Sequence, residues 1–271
     1  MFTIKLNLPS GKTTRLEELN NRDYLCILKF CQNGDLEGLN GFFEKLYFTS
    51  DLNIFDRFYI LLSVRKMFVD SKLTFVGKDE VDISYGIDTI LSKLTDNYVE
   101  TQETLVEAGI EVDVGIPCGL FFEGVDELYQ STIMSIRFND TCIDFLELSI
   151  EEKNKILDRL PTAVFLSLQS YIKRLSDTLF DITLIEENKQ FEISEVKINI
   201  IGNGVLQFLS SIFAYDLVFF YEAFYYYNHF VTKGSGDFFD MSFNETRLLL
   251  KLHSERIDKE NKEIKRQQRL I

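Results

Sequence analysis

The stretch YDLVFFYEAFYYYNHF, residues 215–230, is dense in aromatic side chains, with Phe or Tyr at nine of its sixteen positions. On a helical wheel of about 100° per residue, its apolar residues cover an arc wider than one neighbouring helix needs. Such a helix lies either near the centre of a core or partly against another protein. The environment of this helix therefore determines how the C-terminal part of the chain packs and what it contacts.

Neither a membrane nor a nucleic acid suits this aromatic segment. Residues 205–231 are long and apolar enough to span a bilayer, but they include Asp216 and Glu222. A carboxylate near the bilayer centre costs roughly 2.5–3.5 kcal/mol. Nucleic-acid bases could stack on the aromatic rings, but such binding also needs a basic groove beside the rings. The chain instead has 43 acidic residues against 29 basic ones, a net charge of −14 that repels phosphates. The sequence predicts no membrane span and no nucleic-acid partner.

Apolar residues of the aromatic helix and of the last helix are predicted to form a protein interface. On the last helix, Leu250, Ile257, Ile264 and Ile271 recur every seven residues, but the positions between them are polar. A two-stranded coiled coil needs both sets apolar, so the stripe favours contact along another surface. Self-association of the chain stays open. The predicted interface residues are Phe213, Phe220, Phe224, Tyr227, Phe230, Leu250, Ile257 and Ile264.

One carboxylate falls inside the apolar arc of the aromatic helix. Asp216 lies near the middle of that arc, among Phe and Leu side chains. A buried carboxylate must be ion-paired or hydrogen-bonded, because its desolvation is otherwise too costly. We predict that Asp216 is a structural buried acid, and Arg65, Lys173 and Arg174 are the candidate partners.

No motif for catalysis or metal binding is present. The two histidines, His229 and His253, are far apart in the sequence, and the four cysteines form no C-x-x-C pair. Neither G-x-S-x-G nor H-E-x-x-H occurs. We therefore expect no catalytic residue, no metal, no cofactor and no enzymatic activity. A hydrolase that uses two carboxylates stays open as an alternative, because acidic residues are abundant.

Helical spacing of apolar residues recurs in the N-terminal part of the chain. It is found over 16–31, 39–47 and 55–68. In the third segment the pattern predicts a helix with a buried apolar face, while Arg57 and Arg65 are expected to be exposed. Two capping boxes, S-I-E-E from residue 149 and S-F-N-E from residue 242, predict the starts of two further helices.

Strand signals are short and separated by turns. Alternating apolar residues predict a half-buried strand over 2–8, and two strands flank the turn at 77–80. A helix is predicted over 87–107, and the segment 110–146 is expected to be β-rich. The segment ITLIEENKQFEISEVKINII, residues 182–201, predicts a hairpin. The fold class is therefore α+β and mainly α-helical, with a helical core, short β-hairpins and a β-rich middle segment.

These patterns divide the chain into three parts. Residues 1–72 carry an N-terminal strand and helices, 73–148 form the β-rich middle, and 149–271 are helical with the hairpin near 182–201. The first and third parts are expected to share one core.

Five stretches from both ends of the chain form a recognisable set. They are LNLPSGKTTRLEELNNRDYLCILKF (6–30), NIFDRFYILLSVRKMF (53–68), LSIEEKNKILDRLPTAVFLSLQSYI (148–172), AYDLVFFYEAFYYYNHF (214–230) and DFFDMSFNETRLLLKLHSE (237–255). Together they resemble the corresponding parts of T4-like phage baseplate hub assembly proteins. None of these stretches is a catalytic signature.

The resemblance implies a non-enzymatic factor that helps to build the hub of a contractile tail. It implies other baseplate hub proteins as partners, together with the tape measure protein. It places the chain in the host cytoplasm during virion assembly, or in the baseplate of the virion if the chain is a permanent structural subunit.

Overall fold

The computed structural model shows a mainly helical α+β fold, which confirms the predicted fold class. Helices alternate along the chain with short antiparallel strands, and the strands form hairpins or a small sheet. The structure describes residues 3–49, 51–68, 71–76, 82–98, 102–119, 122, 124–139, 141–178, 182–187, 193–198, 213, 217–230 and 237–268.

The described helices begin after polar caps in several cases. Asn20 caps α1 by accepting from the Asp23 N–H at 2.8 Å, and Gly34 ends this helix at a φ of 65°, where a side chain would be strained. The helices are α1 Asn21–Asn33, α2 Leu36–Leu46, α3 Ile54–Phe68, α4 Ile87–Asn97, α5 Val125–Thr132, α6 Ile150–Leu157, α7 Thr162–Thr178, α8 Leu217–Phe230 and α9 Phe243–Gln268, with a 3-10 turn at Phe238–Asp240.

The described strands are all antiparallel. They are β1 Thr3–Asn7, β2 Thr13–Glu17, β3 Lys72–Val76, β4 Asp82–Gly86, β5 Glu103–Glu107, β6 Ile110–Val114, β7 Ile133–Phe138, β8 Thr141–Asp144, β9 Ile182–Glu187 and β10 Ile193–Ile198. Three hairpins pair β1 with β2, β3 with β4 and β9 with β10, and the other four strands form a sheet in sequence order. The predicted strands around 77–80 and the predicted hairpin near 182–201 are thus confirmed.

Both predicted capping boxes are confirmed. At the start of α6, the Ser149 N–H donates to the Glu152 carboxylate at 3.0 Å and the Glu152 N–H donates back to Ser149 Oγ at 3.4 Å. Ser242 and Glu245 make the same pair of bonds at 3.1 and 3.2 Å. Each box satisfies N–H groups that the first helical turn leaves without an intrahelical partner.

Helix α3 lies at the centre of the main core. Twelve of its fifteen side chains are buried, including Arg57 and Arg65, so the expectation that these two arginines are exposed is wrong. Arg57 is accommodated because its guanidinium donates to the Leu52 carbonyl at 3.0 Å and to Glu44 Oε1 at 3.0 Å, and lies 5.1 Å from the centre of the Phe48 ring. The periodicity of the sequence did not predict the burial of these two arginines, because α3 is buried on its polar side as well as on its apolar side.

The main core draws on all three predicted parts of the chain. Leu61, Val112 and Leu168, one from each part, are fully buried members of one hydrophobic cluster. Phe213 belongs to the same cluster, and its ring centre lies 5.4 Å from that of Phe43 on α2. The boundaries proposed from the sequence stay a prediction.

Two segments predicted as helical contain strands instead. The helix expected over 87–107 ends at Asn97, and Glu103–Glu107 is β5, paired with β6. The turn between them, Ala108-Gly109, has positive φ at both residues (53° and 78°), as two-residue hairpin turns require. Near the N-terminus, Leu16 belongs to β2 rather than to a helix. Pairing with a neighbouring strand overrode local helical spacing in both places.

Two further differences concern the first strand and the middle segment. The strand at the N-terminus is confirmed as β1, but its side chains are mostly exposed rather than half-buried, and the buried Leu8 follows it. The middle segment contains a helix, Val125–Thr132, that its irregular pattern did not predict.

The first hairpin is anchored to α3 through a buried carboxylate. In the turn after β1, the Ser10 N–H donates to Asp56 Oδ1 at 3.1 Å and Ser10 Oγ donates to Oδ2 at 2.6 Å. Asp56 lies in the first turn of α3, where a carboxylate also interacts favourably with the helix dipole. Burial nevertheless raises the pKa of Asp56, and the Ser10 hydrogen bonds offset this only in part.

This raised pKa predicts a pH dependence of stability that the Asp56→Asn variant should lack. The folded chain holds the Asp56 proton more tightly than the unfolded chain, so this group contributes less stability as pH rises through its folded pKa. The free energy of unfolding of the natural protein, minus that of the variant, should therefore increase as pH falls from neutral towards the ordinary Asp pKa of about 4. Urea unfolding of both proteins across this range measures the difference, and a flat or opposite trend would contradict it.

Candidate functional site

Helix α8 is held against α1 by a second, aromatic core. The ring centre of Phe238 lies 5.6 Å from that of Phe220 and 5.4 Å from that of Tyr227. Tyr24 of α1 lies 4.5 Å from Phe243, measured between ring centres, at the start of α9. This cluster is separate from the main core and consists of the buried residues Tyr24, Leu28, Phe220, Ala223, Tyr227, Phe238 and Phe243.

A buried asparagine fixes the 3-10 turn and the start of α9 to α1. Asn21 Nδ2 donates to the Phe238 carbonyl at 2.7 Å and to Thr246 Oγ1 at 2.6 Å. The Asn21 N–H donates to the Met241 carbonyl at 2.9 Å. These bonds set the position from which α9 leaves the body of the chain.

The aromatic residues predicted as an interface are largely covered by this chain. Phe213, Phe220 and Tyr227 are buried, and Phe224 is half-buried, 5.2 Å from Phe238 between ring centres. Phe213, Phe220 and Tyr227 therefore pack in the cores of this chain, and the predicted role of these rings as a protein interface stays a prediction. The side chain of Phe230 lies outside the described part of the structure.

The exposed face of α8 carries different residues. Val218, Tyr221, Tyr225 and Tyr226 are each between 44 % and 61 % exposed, and we call them the tyrosine face. Val218, Tyr221 and Tyr225 are spaced by three and four residues along one side of the helix, and Tyr226 adjoins them. Sequence reasoning missed them because Phe and Tyr were treated alike. The hydroxyl group of tyrosine can form hydrogen bonds with water, so a preference for Tyr over Phe at these positions was the signal that could have indicated an exposed face.

A groove separates the tyrosine face from α9. It encloses about 290 Å³. Its apolar lining includes Ala223, Tyr226, Leu250 and Ile257, and the carboxylates of Glu222 and Asp258 also line it. We call this the α8–α9 groove.

The apolar stripe of α9 becomes more exposed along the helix. Leu250 is half-buried in the α8–α9 groove, whereas Ile257 and Ile264 are 39 % and 51 % exposed. The predicted interface positions on α9 are therefore accessible, and their role as an interface stays a prediction.

The predicted buried acid, Asp216, lies outside the described residues. Among its three candidate partners, Arg65 is buried on α3, whereas Lys173 is exposed and Arg174 pairs with Glu103 at 2.6 Å. Burial makes Arg65 the candidate that most needs an acidic partner. The pairing of Asp216 stays a prediction.

The described residues contain neither a membrane-spanning helix nor a cluster of metal-binding side chains. No helix among them is both long and apolar enough to cross a membrane. No three or more His, Cys, Asp or Glu side chains within this part of the chain are grouped so as to hold a metal ion.

Comparison with protein families identifies a relationship for most of the chain. Residues 1–202 match the family described as T4 bacteriophage base plate protein. The chain belongs to this family. No curated protein and no solved structure matches it.

Membership of the T4 bacteriophage base plate protein family confirms the resemblance found in the sequence and gives the chain a role in the phage baseplate. The matched part contains α1–α7 and all of the described strands. The tyrosine face, the α8–α9 groove and α9 lie beyond residue 202. The candidate interaction surface is thus built by a C-terminal segment docked on the matched part through Tyr24 and Asn21.

Proposed function

We propose that this base plate family member is a non-enzymatic assembly factor, or chaperone, of the baseplate hub. It binds hub subunits and the tape measure protein in the host cytoplasm while the virion is assembled. The observation that carries the proposal is the tyrosine face, an exposed surface on a helix whose opposite side packs in the aromatic core.

The chemistry of the tyrosine face suits a protein partner. Tyrosine is enriched at protein interfaces because its ring buries a large apolar area while its hydroxyl remains hydrogen-bonded. Val218 adds an aliphatic contact on the same side of α8. A net charge of −14 keeps such a surface soluble before the partner binds.

Replacing Tyr221 and Tyr225 together by Ser tests this role. Both side chains are exposed, so the fold should lose little stability, whereas affinity for a hub partner should fall by tenfold or more, on the order expected for interface anchors. Complementation of hub assembly in infected cells, together with affinity purification, is the measurement. A matched control replaces Ile150 and Leu166, exposed apolar residues on α6 and α7, by Ser. Normal assembly with the tyrosine variant would contradict the proposal.

A permanent structural subunit of the baseplate is the second candidate, because the family description names a baseplate component. Mass spectrometry of purified virions distinguishes the two functions. An assembly factor should be absent or present in less than stoichiometric amounts, whereas a structural subunit should be present in a fixed ratio to the other baseplate proteins.

The surroundings of Asp113, on the four-stranded sheet, do not suit a general acid of the hydrolase alternative. Asp113 accepts hydrogen bonds from Thr104 at 2.7 Å and Ser135 at 2.6 Å, and pairs with Arg137 at 2.9 Å. These contacts, the Ser135 bond above all, lower the pKa of Asp113. A general acid needs a raised pKa, so this arrangement supports a structural role for the carboxylate.

A further inference from the structure

The distal half of α9 is a helix without cover. Helix α9 has 26 residues, about 39 Å at 1.5 Å per residue, and every side chain over 254–266 is exposed. Helical segments of this length are marginal in water unless one face is packed. The ion pair between Arg256 and Glu260 contributes little stability, because both side chains are exposed to solvent. A surface outside this chain's own body would stabilise the segment.

The distal half of α9 carries an apolar pair and a basic charge. Ile257 and Ile264 lie on one side of the helix, seven residues apart. Residues 259–266 contain four basic and two acidic side chains, the opposite sign to the chain as a whole. We call residues 259–266 the basic end of α9.

The α8–α9 groove has the complementary features. Its apolar lining is flanked by two carboxylates, Glu222 and Asp258, and its volume of about 290 Å³ suits inserted side chains better than a drug-sized ligand. The basic end cannot occupy the groove of its own chain, because Ile257 already lines the groove and α9 continues from it as an unbroken helix to Gln268.

We propose that two copies of this chain associate through α9, each laying its basic end along the α8–α9 groove of the other. Apolar contact between Ile264 and the groove lining, and attraction between the basic end and Glu222 and Asp258, hold the pair. The arrangement is antiparallel and two-fold symmetric, so the same surface serves both copies. The dimer uses the α8–α9 groove, which shares only Tyr226 with the tyrosine face, and its existence does not depend on the proposed assembly function.

Sedimentation velocity of the purified full-length chain tests the dimer directly. We expect a concentration-dependent species of twice 31.6 kDa that weakens at high salt, because surface charges are screened. Replacing Ile257 and Ile264 by Ser should weaken association about tenfold or more. The matched control replaces Leu248 and Leu252 by Ser, since both are similarly exposed but lie on the opposite side of α9.

A charge exchange tests the pairing itself. One variant carries Glu222→Lys and Asp258→Lys in the groove, and the other carries Lys262→Glu and Lys265→Glu in the basic end. Each alone places like charges together and should be monomeric, whereas an equimolar mixture restores opposite charges at both contacts and should form dimers. A natural protein that stays monomeric at all concentrations, a dimer insensitive to the isoleucine variant, or a mixture that stays monomeric would each overturn the proposal. Circular dichroism and thermal unfolding confirm that every variant is folded.

Discussion

Replacing Phe238 by Ala should lower the free energy of unfolding by about 3–5 kcal/mol, the range for removal of a fully buried aromatic ring. Phe238 is buried in the aromatic core, and its ring touches Phe220, Phe224 and Tyr227 of α8. Its removal would leave a cavity between α8 and the 3-10 turn. Denaturant unfolding of the natural protein and the variant measures the loss.

The change should also release α8, since the aromatic core is what fixes it to α1. Hydrogen exchange should therefore rise in α8 more than in α3, which belongs to the main core. Phe138→Ala is the matched control, because Phe138 is an exposed phenylalanine on β7. We expect this control to cost less than about 1 kcal/mol. If the two variants lose similar stability, the aromatic core does not hold α8 in the way described.

Replacing Arg57 by Met should cost about 3 kcal/mol, because methionine retains the buried aliphatic chain but removes the charged donors. The guanidinium donates hydrogen bonds to the carbonyls of Leu52 and Thr49 and to the carboxylate of Glu44. Loss of these bonds leaves acceptors in the α2–α3 connection without their donor. Urea unfolding curves measure the change, and the midpoint should fall at an unchanged slope if the unfolded state is unaffected.

A surface arginine provides the comparison for Arg57. Arg256→Met removes a pair with Glu260 on the exposed part of α9, where ion pairs contribute less than about 1 kcal/mol. Both variants remove a guanidinium paired with a glutamate, so the expected contrast follows from the burial of Arg57 and from the two carbonyls to which it also donates. Equal effects would mean that the Arg57 contacts contribute little to folding.

The Asp56, Arg57 and Phe238 variants each test a contact that anchors a different part of the chain. Asp56 and Arg57 are neighbours on α3, but one anchors the first hairpin and the other anchors the connection from α2. Phe238 instead anchors the C-terminal segment that carries the candidate interaction surface. A baseplate role for the chain does not by itself say which surface meets other baseplate proteins, and the Phe238 and tyrosine variants address that question.

The sequence by itself determined the local features of this protein. The pairs Ser149 with Glu152 and Ser242 with Glu245 specified the starts of two helices, because capping is a contact between residues three positions apart. The hairpins at β3–β4 and β9–β10 followed from alternation around polar turns. The stretches resembling phage baseplate proteins were also readable without coordinates, and the family match over residues 1–202 agrees with the three that lie within it.

Only the tertiary structure decided which surfaces are covered. Periodicity groups residues on one face of a helix, but it does not say what packs against that face. Tyr24 of α1 and Phe238 of the 3-10 turn, both remote in sequence from most of α8, bury Phe220 and Tyr227 and leave the tyrosine face outside. Arg57 is buried because carbonyls and a carboxylate from another helix and its connection meet its guanidinium. Such contacts join different elements of the fold, so a local sequence pattern does not predict them.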